Sequence, residues 1–355
     1  EVLVMTLSPQ VYQLLHEGTE IPALPLALTS AREFDERRQR ALIRYYMAAG
    51  SGGLAVGVHS TQFAIRDEDV NLFEPVLRIA MEEMTTEEAP QPFIKIAGIC
   101  GPTEQALNES RVATNLGYDL GLLSMGGLDT YSEDQLLDRA RAVGEIMPIF
   151  GFYLQPSVGG RVLSYRFWEE FVNIPQVKAV KIAPFNRYFS LDVARAVCSS
   201  PRVDDIALYT GNDDNIVVDL LTTFRFQVEG KMVEKAVVGG LLGHWAVWTQ
   251  KAVTLHKEIK EVRKGDRIPK EFLQRAVEVT DTNAAFFDSA NDFAGCIPGI
   301  HEVLRRQGLL EGTWCLDPEE VLSQGQNEEI DRVYKAYPHL HDDAFVSANL
   351  AKWLK

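Results

Sequence analysis

The hydrophobic positions of this 355-residue chain come in short runs of strand length, each followed by a longer stretch where apolar residues recur every three or four places. Runs of the first kind read as buried strands and stretches of the second as amphipathic helices. Ile21 to Ser30 opens the series as a strand; Phe34-Asp35 then begins a helix to Ala49, ended by Gly50-Ser-Gly-Gly53. Strands follow at Gly53 to Gly57, Phe93 to Ile99 and Leu120 to Met125, separated by helices from Asp67 to Met84 and from Gly101-Pro102 to Leu116. A helix from Ser132 to Glu145 leads into a strand, helix, strand unit: Pro148 to Leu154, Ser164 to Val172 and Val177 to Ala183. Strands seven and eight are expected at Ala207 to Thr210 and Ala236 to Leu242. The unit recurs every ~25 to 35 residues, the period of parallel βα repeats, and eight such strands close a (β/α)8 TIM barrel of the α/β class. The rival is an open dinucleotide-binding sheet, but no GxGxxG follows the first strand.

Beyond strand eight the pattern is helical: Thr249 to Lys264, Pro269 to Ser289, Pro298 to Gln307, Pro318 to Tyr337 and Asp343 to Leu354. This divides the chain into a barrel over residues 1–248 and a C-terminal helical region over 249–355.

Candidate chemistry concentrates in the central unit. Its two parallel strands end on residues foreign to a core, Tyr153 and Lys181. A lysine inside a buried strand is costly to keep charged, so its pKa should fall, and an amine nearer neutrality is what attacks a carbonyl to form a Schiff base. The alternative is a strand-end lysine that reaches to solvent, and a tyrosine that is an ordinary core residue. Tyr and Lys at the carboxyl ends of neighbouring strands are expected to point together into the mouth of the barrel.

Tyr153-Leu-Gln-Pro156 and Val177-Lys-Ala-Val-Lys181 resemble the Tyr-x-x-Pro and Val-x-x-Ile-Lys segments of the dihydrodipicolinate synthase and N-acetylneuraminate lyase family. Those are (β/α)8-barrel class I aldolases and lyases that join or split 2-oxo acids, usually pyruvate, through a lysine imine. The resemblance implies Lys181 as the Schiff-base residue and Tyr153 as the proton-transferring acid/base, with no metal or organic cofactor. Thr210-Gly-Asn-Asp-Asp214 is similar to the family's Ser-Gly-Asp-Asp turn, and Gly239-Gly240 with Leu241-Leu242 to its glycine-led strand eight. On that basis Gly211, Asn212 and Leu242 are expected at the substrate, with His244 beyond them as a substrate contact, a second acid/base or a helix cap.

The chain departs from the family after strand two. Gly57-Val-His-Ser-Thr-Gln62 stands where the family has Gly-Thr-Thr-Gly-Glu, so the two threonines fall on Val58 and His59. A carboxylate is then expected on Ser60, Thr61 and loop amides, with His59 as relay or as a structural histidine. The family arginine shortly after Tyr-x-x-Pro falls near Val158, with Arg161 three residues on. Strand four ends in Ser124-Met-Gly-Gly127, where the synthases carry a tyrosine. Dihydrodipicolinate synthase itself is therefore not expected.

Composition narrows the partners. A net charge of −15 argues against nucleic acid or an anionic membrane, and no apolar run reaches the length of a membrane span. The opening residues lack the basic-then-apolar pattern of a signal peptide, and Cys100, Cys198, Cys296 and Cys315 are scattered with no CxxC, which fits a reducing, cytoplasmic compartment. His339-Leu-His341-Asp-Asp reads as a solvated helix cap rather than a metal cluster. The expectation is a homodimer or homotetramer acting on a small 2-oxo acid or sugar acid. A dehydratase or hydratase-aldolase using the same imine, and a non-catalytic carboxylate-binding barrel, remain the alternatives; a metal-dependent aldolase lacks clustered ligands.

Overall fold

In a computed structural model, which describes residues 5–355, eight parallel strands form the barrel: β1 (Glu20–Pro22), β2 (Gly53–Val56), β3 (Ile94–Ile99), β4 (Leu120–Leu123), β5 (Ile149–Leu154), β6 (Val177–Ala183), β7 (Ala207–Thr210) and β9 (Lys231–Leu242). The order runs β1-β9-β7-β6-β5-β4-β3-β2, and a parallel bridge between Ala23 and Ala55 closes the ring. Helices α2 (Glu36–Ala48), α3 (Phe73–Met84), α4 (Thr103–Leu116), α5 (Glu133–Gly144), α6 (Tyr165–Val172), α7 (Arg187–Ser199) and the short α8 (Ile216–Leu221) alternate with the strands. The TIM barrel expected from the strand–helix period is therefore present.

Two apolar layers result. Ile21, Ala55, Ile96, Leu122, Phe150, Phe152, Ala179, Tyr209 and Leu241 fill the barrel interior, while Leu54, Val56, Tyr153, Ile182, Leu208 and Leu242 pack outward against the helices. Alternate residues of each strand supply the two layers, as the pleat requires.

An N-terminal helix α1 (Pro9–Glu17), absent from the expected pattern, lies under the barrel. Ser8 caps it, its Oγ accepting from the Val11 N–H at 3.2 Å, with Pro9 in the first turn. Val11 and Leu15 join the interior cluster, so α1 plugs the amino-terminal end of the barrel. Gly18 ends the helix at φ 85°, and a side chain there would meet the Val238 carbonyl oxygen at 1.9 Å.

Four segments differ from the sequence expectation, the first being the helix expected over Asp67 to Met84, which begins only at Phe73. Strand one is shorter than Ile21 to Ser30, because beyond the Ala23 bridge the chain leaves the ladder. The last barrel strand starts earlier than Ala236, since its first half pairs antiparallel with β8 (Thr223–Val228) in a hairpin whose turn residues Glu229 and Gly230 both have positive φ. Of Pro318 to Tyr337, only α12 (Gln326–Ala336) is helical.

The remaining C-terminal helices, α9 (Thr249–Val262), α10 (Glu271–Phe286), α11 (Cys296–Arg306) and α13 (Asp343–Trp353), follow the expected order. Their buried residues Ile259, Phe286, Ile300, Val346 and Trp353 belong to the same outer cluster as the barrel helices, so the regions 1–248 and 249–355 share one core.

Candidate functional site

The carboxyl ends of the strands converge on a small cavity. Lys181, near the end of β6, projects into it and is 9 % exposed. Its stem passes over Gly211, where even a methyl group would lie 2.4 Å from Lys181 Cε. The amine sits 4.3 Å above the centre of the Phe152 ring and has no hydrogen-bond partner among the described residues. Burial pushes its pKa down from 10.5 to about 8, against the pull of the Asp213 carboxylate.

Asp213 follows β7 in the turn Thr210-Gly211-Asn212-Asp213 and is the only carboxylate among the described residues lining the cavity. Its Oδ1 accepts the His244 backbone N–H at 2.9 Å. Burial pushes its carboxyl up to about 7, with Lys181 acting in the opposite direction. A lysine and an aspartate are thus brought toward each other's titration range by the same desolvation.

Of the expected residues, the structure brings Lys181, His59, Ser60 and Gly211 together at this cavity. His59 belongs to a 3₁₀ turn, His59–Thr61, after β2. Burial, and then the nearby Lys181, push its pKa down to about 4, so it is neutral at physiological pH. The Ser60 hydroxyl donates to the Leu24 carbonyl at 3.3 Å.

Tyr153 is elsewhere. The β5–β6 register pairs Phe152 with Lys181 and Tyr153 with Ile182, so Phe152 faces the cavity and Tyr153 the helices. The Tyr153 ring packs on Trp168 and Phe189, and its hydroxyl both donates to the Leu163 carbonyl and accepts from the Leu163 N–H, each at 3.2 Å. The expected pairing of Tyr153 and Lys181 in one mouth is thereby corrected: strand parity places an unreactive ring, Phe152, where the tyrosine was expected.

The other expected contacts are structural. Thr61 Oγ1 donates to the Leu24 carbonyl at 2.7 Å and accepts from the Gly57 and Val58 N–H groups. Asn212 Oδ1 accepts from the Phe185 N–H at 3.0 Å while its Nδ2 donates to Asp219 Oδ2 at 2.9 Å, which ties the turn after β7 to the loop after β6. Leu242 packs outward, and its neighbour Leu241 faces the interior. The His244 ring lies against Phe286 and Asn283, lining a separate apolar cavity with Trp245 and Trp248; only its backbone reaches the site, through Asp213. Arg161 is spent on the Leu128 and Tyr131 carbonyls.

Residues not singled out in the sequence complete the site. Phe152, Gln155 and Phe185 form its walls, and Phe287, Cys296 and Ile300, from α11 and the loop before it, form a roof supplied by the C-terminal region. Leu154 and Val158 also line an adjoining chamber with Arg66, Cys100, Ser124 and Gly126. No group of histidines, cysteines and carboxylates suited to a metal ion occurs among the described residues, and His339 pairs with Glu278 at 2.6 Å.

Fold and site together define a (β/α)8 barrel with a desolvated lysine at the mouth. Among solved structures, the chain is similar in fold to dihydrodipicolinate synthase from Oceanobacillus iheyensis, with a TM-score of 0.71 and 15% identity over 93% of this chain and 99% of that one. Dihydrodipicolinate synthase from Bacillus clausii gives 0.72 and 14% identity over 91% and 98%. N-acetylneuraminate lyase from Fusobacterium nucleatum gives 0.67 and 18% identity over 91% and 99%. No family model and no curated protein matches the sequence.

Proposed function

We propose that this chain is a divergent class I lyase of the dihydrodipicolinate synthase and N-acetylneuraminate lyase family, in which Lys181 forms a Schiff base with a 2-oxo acid and a C–C bond is made or broken. The observation that carries this reading is the Lys181 amine: enclosed at the strand ends, without a hydrogen-bond partner among the described residues, and with a pKa pushed to about 8. Neutral amine attacks the carbonyl, and the protonated imine then acts as an electron sink for the bond next to it. His59, Ser60 and the amides of their turn hold the carboxylate. No cofactor enters this chemistry; the free cysteines fit a reducing, cytoplasmic setting, and the assembly proposed is a homodimer or homotetramer.

The adjoining chamber beyond Leu154 and Val158 favours a substrate longer than pyruvate. A dehydratase or hydratase-aldolase acting on a sugar acid by the same imine is accordingly the second reading.

The test is intact-mass spectrometry after borohydride reduction with a panel of 2-oxo acids, on wild type and Lys181→Ala. An adduct lost in the variant supports the imine. Absence of an adduct with every member overturns it and leaves a carboxylate-binding barrel.

A further inference from the structure

An imine enzyme needs a group that carries protons to and from the substrate carbon, and Tyr153, on the far side of β5, cannot reach it. Asp213 can. It lines the cavity that holds Lys181, is 6 % exposed, and has Oδ1 fixed by the His244 N–H while Oδ2 has no hydrogen-bond partner among the described residues. The turn that presents it is stiffened from both sides, since Asn212 bridges to Phe185 and Asp219, and Thr210 Oγ1 donates to Asp219 Oδ2 at 2.7 Å. A general base needs such placement before its pKa matters.

The groups around Asp213 leave it the proton carrier. Lys181 from β6, His59 from the turn after β2 and Cys296 from α11 line the cavity with it, Asp214 neighbours it in its own turn, and His244, beyond the end of β9, meets it only through its backbone N–H. Burial holds the His59 and His244 rings near pKa 4 and pushes the Cys296 thiol well above its ordinary value. Neither histidine stores a proton at neutral pH, and the thiol does not release one. Asp214 stands outside the cavity lining, 3.8 Å from Arg187.

We propose that Asp213 is the acid–base group of the Lys181 reaction. The proposal rests on the imine reading above. In the iminium form of the adduct, the Asp213 carboxylate removes a proton from the carbon adjacent to the imine. The C–H electron pair becomes the carbon–carbon double bond of an enamine, and the C=N π pair returns to the lysine nitrogen. In the cleavage direction the same carboxylate takes the proton of the hydroxyl on the next carbon; the C–C bond breaks to an aldehyde and the enamine, which Asp213, now a carboxylic acid, reprotonates. Burial, by pushing its carboxyl up to about 7, keeps both forms available near neutrality.

The probe is pyruvate, with 2-oxobutanoate and 2-oxoglutarate in parallel, followed in two readouts: the borohydride-trapped adduct by mass, and exchange of the C3 hydrogens for deuterium by proton NMR. Asp213→Asn is expected to keep the adduct and lose C3 exchange by at least 100-fold, whereas Lys181→Ala loses both. Since trapping requires a formed site, the adduct also shows that the variant is folded. Should Asp213→Asn not fold, Asp213→Glu is read instead, with the adduct retained and exchange lowered at least tenfold because the carboxylate is displaced. Exchange within about threefold of wild type in either adduct-forming variant overturns the assignment of Asp213 while leaving the imine intact. No adduct in wild type overturns the imine reading and this assignment with it.

Discussion

Gly211 and Lys181 are packed so closely that a methyl group on the glycine would sit 2.4 Å from the lysine Cε and 2.7 Å from the Ala183 Cβ. The glycine is what lets the lysine cross from β6 to the centre of the mouth. Gly211→Ala is therefore expected to displace the amine, lowering adduct formation at least tenfold, with an overpacking cost of about 1–3 kcal/mol. Trapping rate and thermal melting, measured together, check it; a normal trapping rate would show that the stem has another path.

Tyr153→Phe gives the opposite pattern. Both hydrogen bonds of the hydroxyl go to Leu163, in the segment between β5 and α6, so the loss belongs to stability, of about 1–3 kcal/mol where buried partners are left unsatisfied. Trapped adduct and C3 exchange should stay within about twofold of wild type. A drop of two orders of magnitude in exchange would mean that the tyrosine turns inward when substrate binds.

The pH dependence of trapping follows from the lysine. Its folded pKa of about 8 lies below the ordinary 10.5, so the neutral, attacking form accumulates as pH rises through about 8. Single-turnover trapping should climb about tenfold per unit below that point and level off above it. A rise that continues to pH 10 would place the amine in contact with solvent.

Thiol reactivity should be low in the native protein. Burial pushes Cys100 and Cys198 up to about 11 and raises Cys296 and Cys315 well above the ordinary thiol value, and the thiolate is the reacting form. Ellman's reagent at pH 8 is expected to titrate less than one equivalent within minutes, against all four cysteines after denaturation. Rapid labelling that peptide mapping assigns to Cys296 would identify an opening of the roof.

Much of this architecture was legible in the sequence. The strand–helix period gave the barrel, and the lysine in an apolar run gave Lys181. Strand parity was not legible, because a barrel strand is buried on both faces and Ile149-Phe-Gly-Phe-Tyr-Leu154 reads as one continuous apolar run. Only the pairing of Phe152 with Lys181 decides which residues face inward, and register is a property of two strands rather than one. Asp213 lies within the Thr210 to Asp214 turn, and its signal in the sequence is that a buried lysine calls for a nearby carboxylate. For α1 and the hairpin the signals were present: Ser8-Pro9 before an apolar stripe, and the alternating Thr223-Phe-Arg-Phe-Gln-Val228 followed by Glu229-Gly230.

The roof over the lysine comes from Phe287, Cys296 and Ile300, late in the chain. During synthesis the amine therefore emerges well before the residues that cover it. The lysine is screened from water only once α11 and the loop before it lie over the strand ends. The desolvation that lowers the lysine pKa is thus a property of the closed mouth and not of β6 alone.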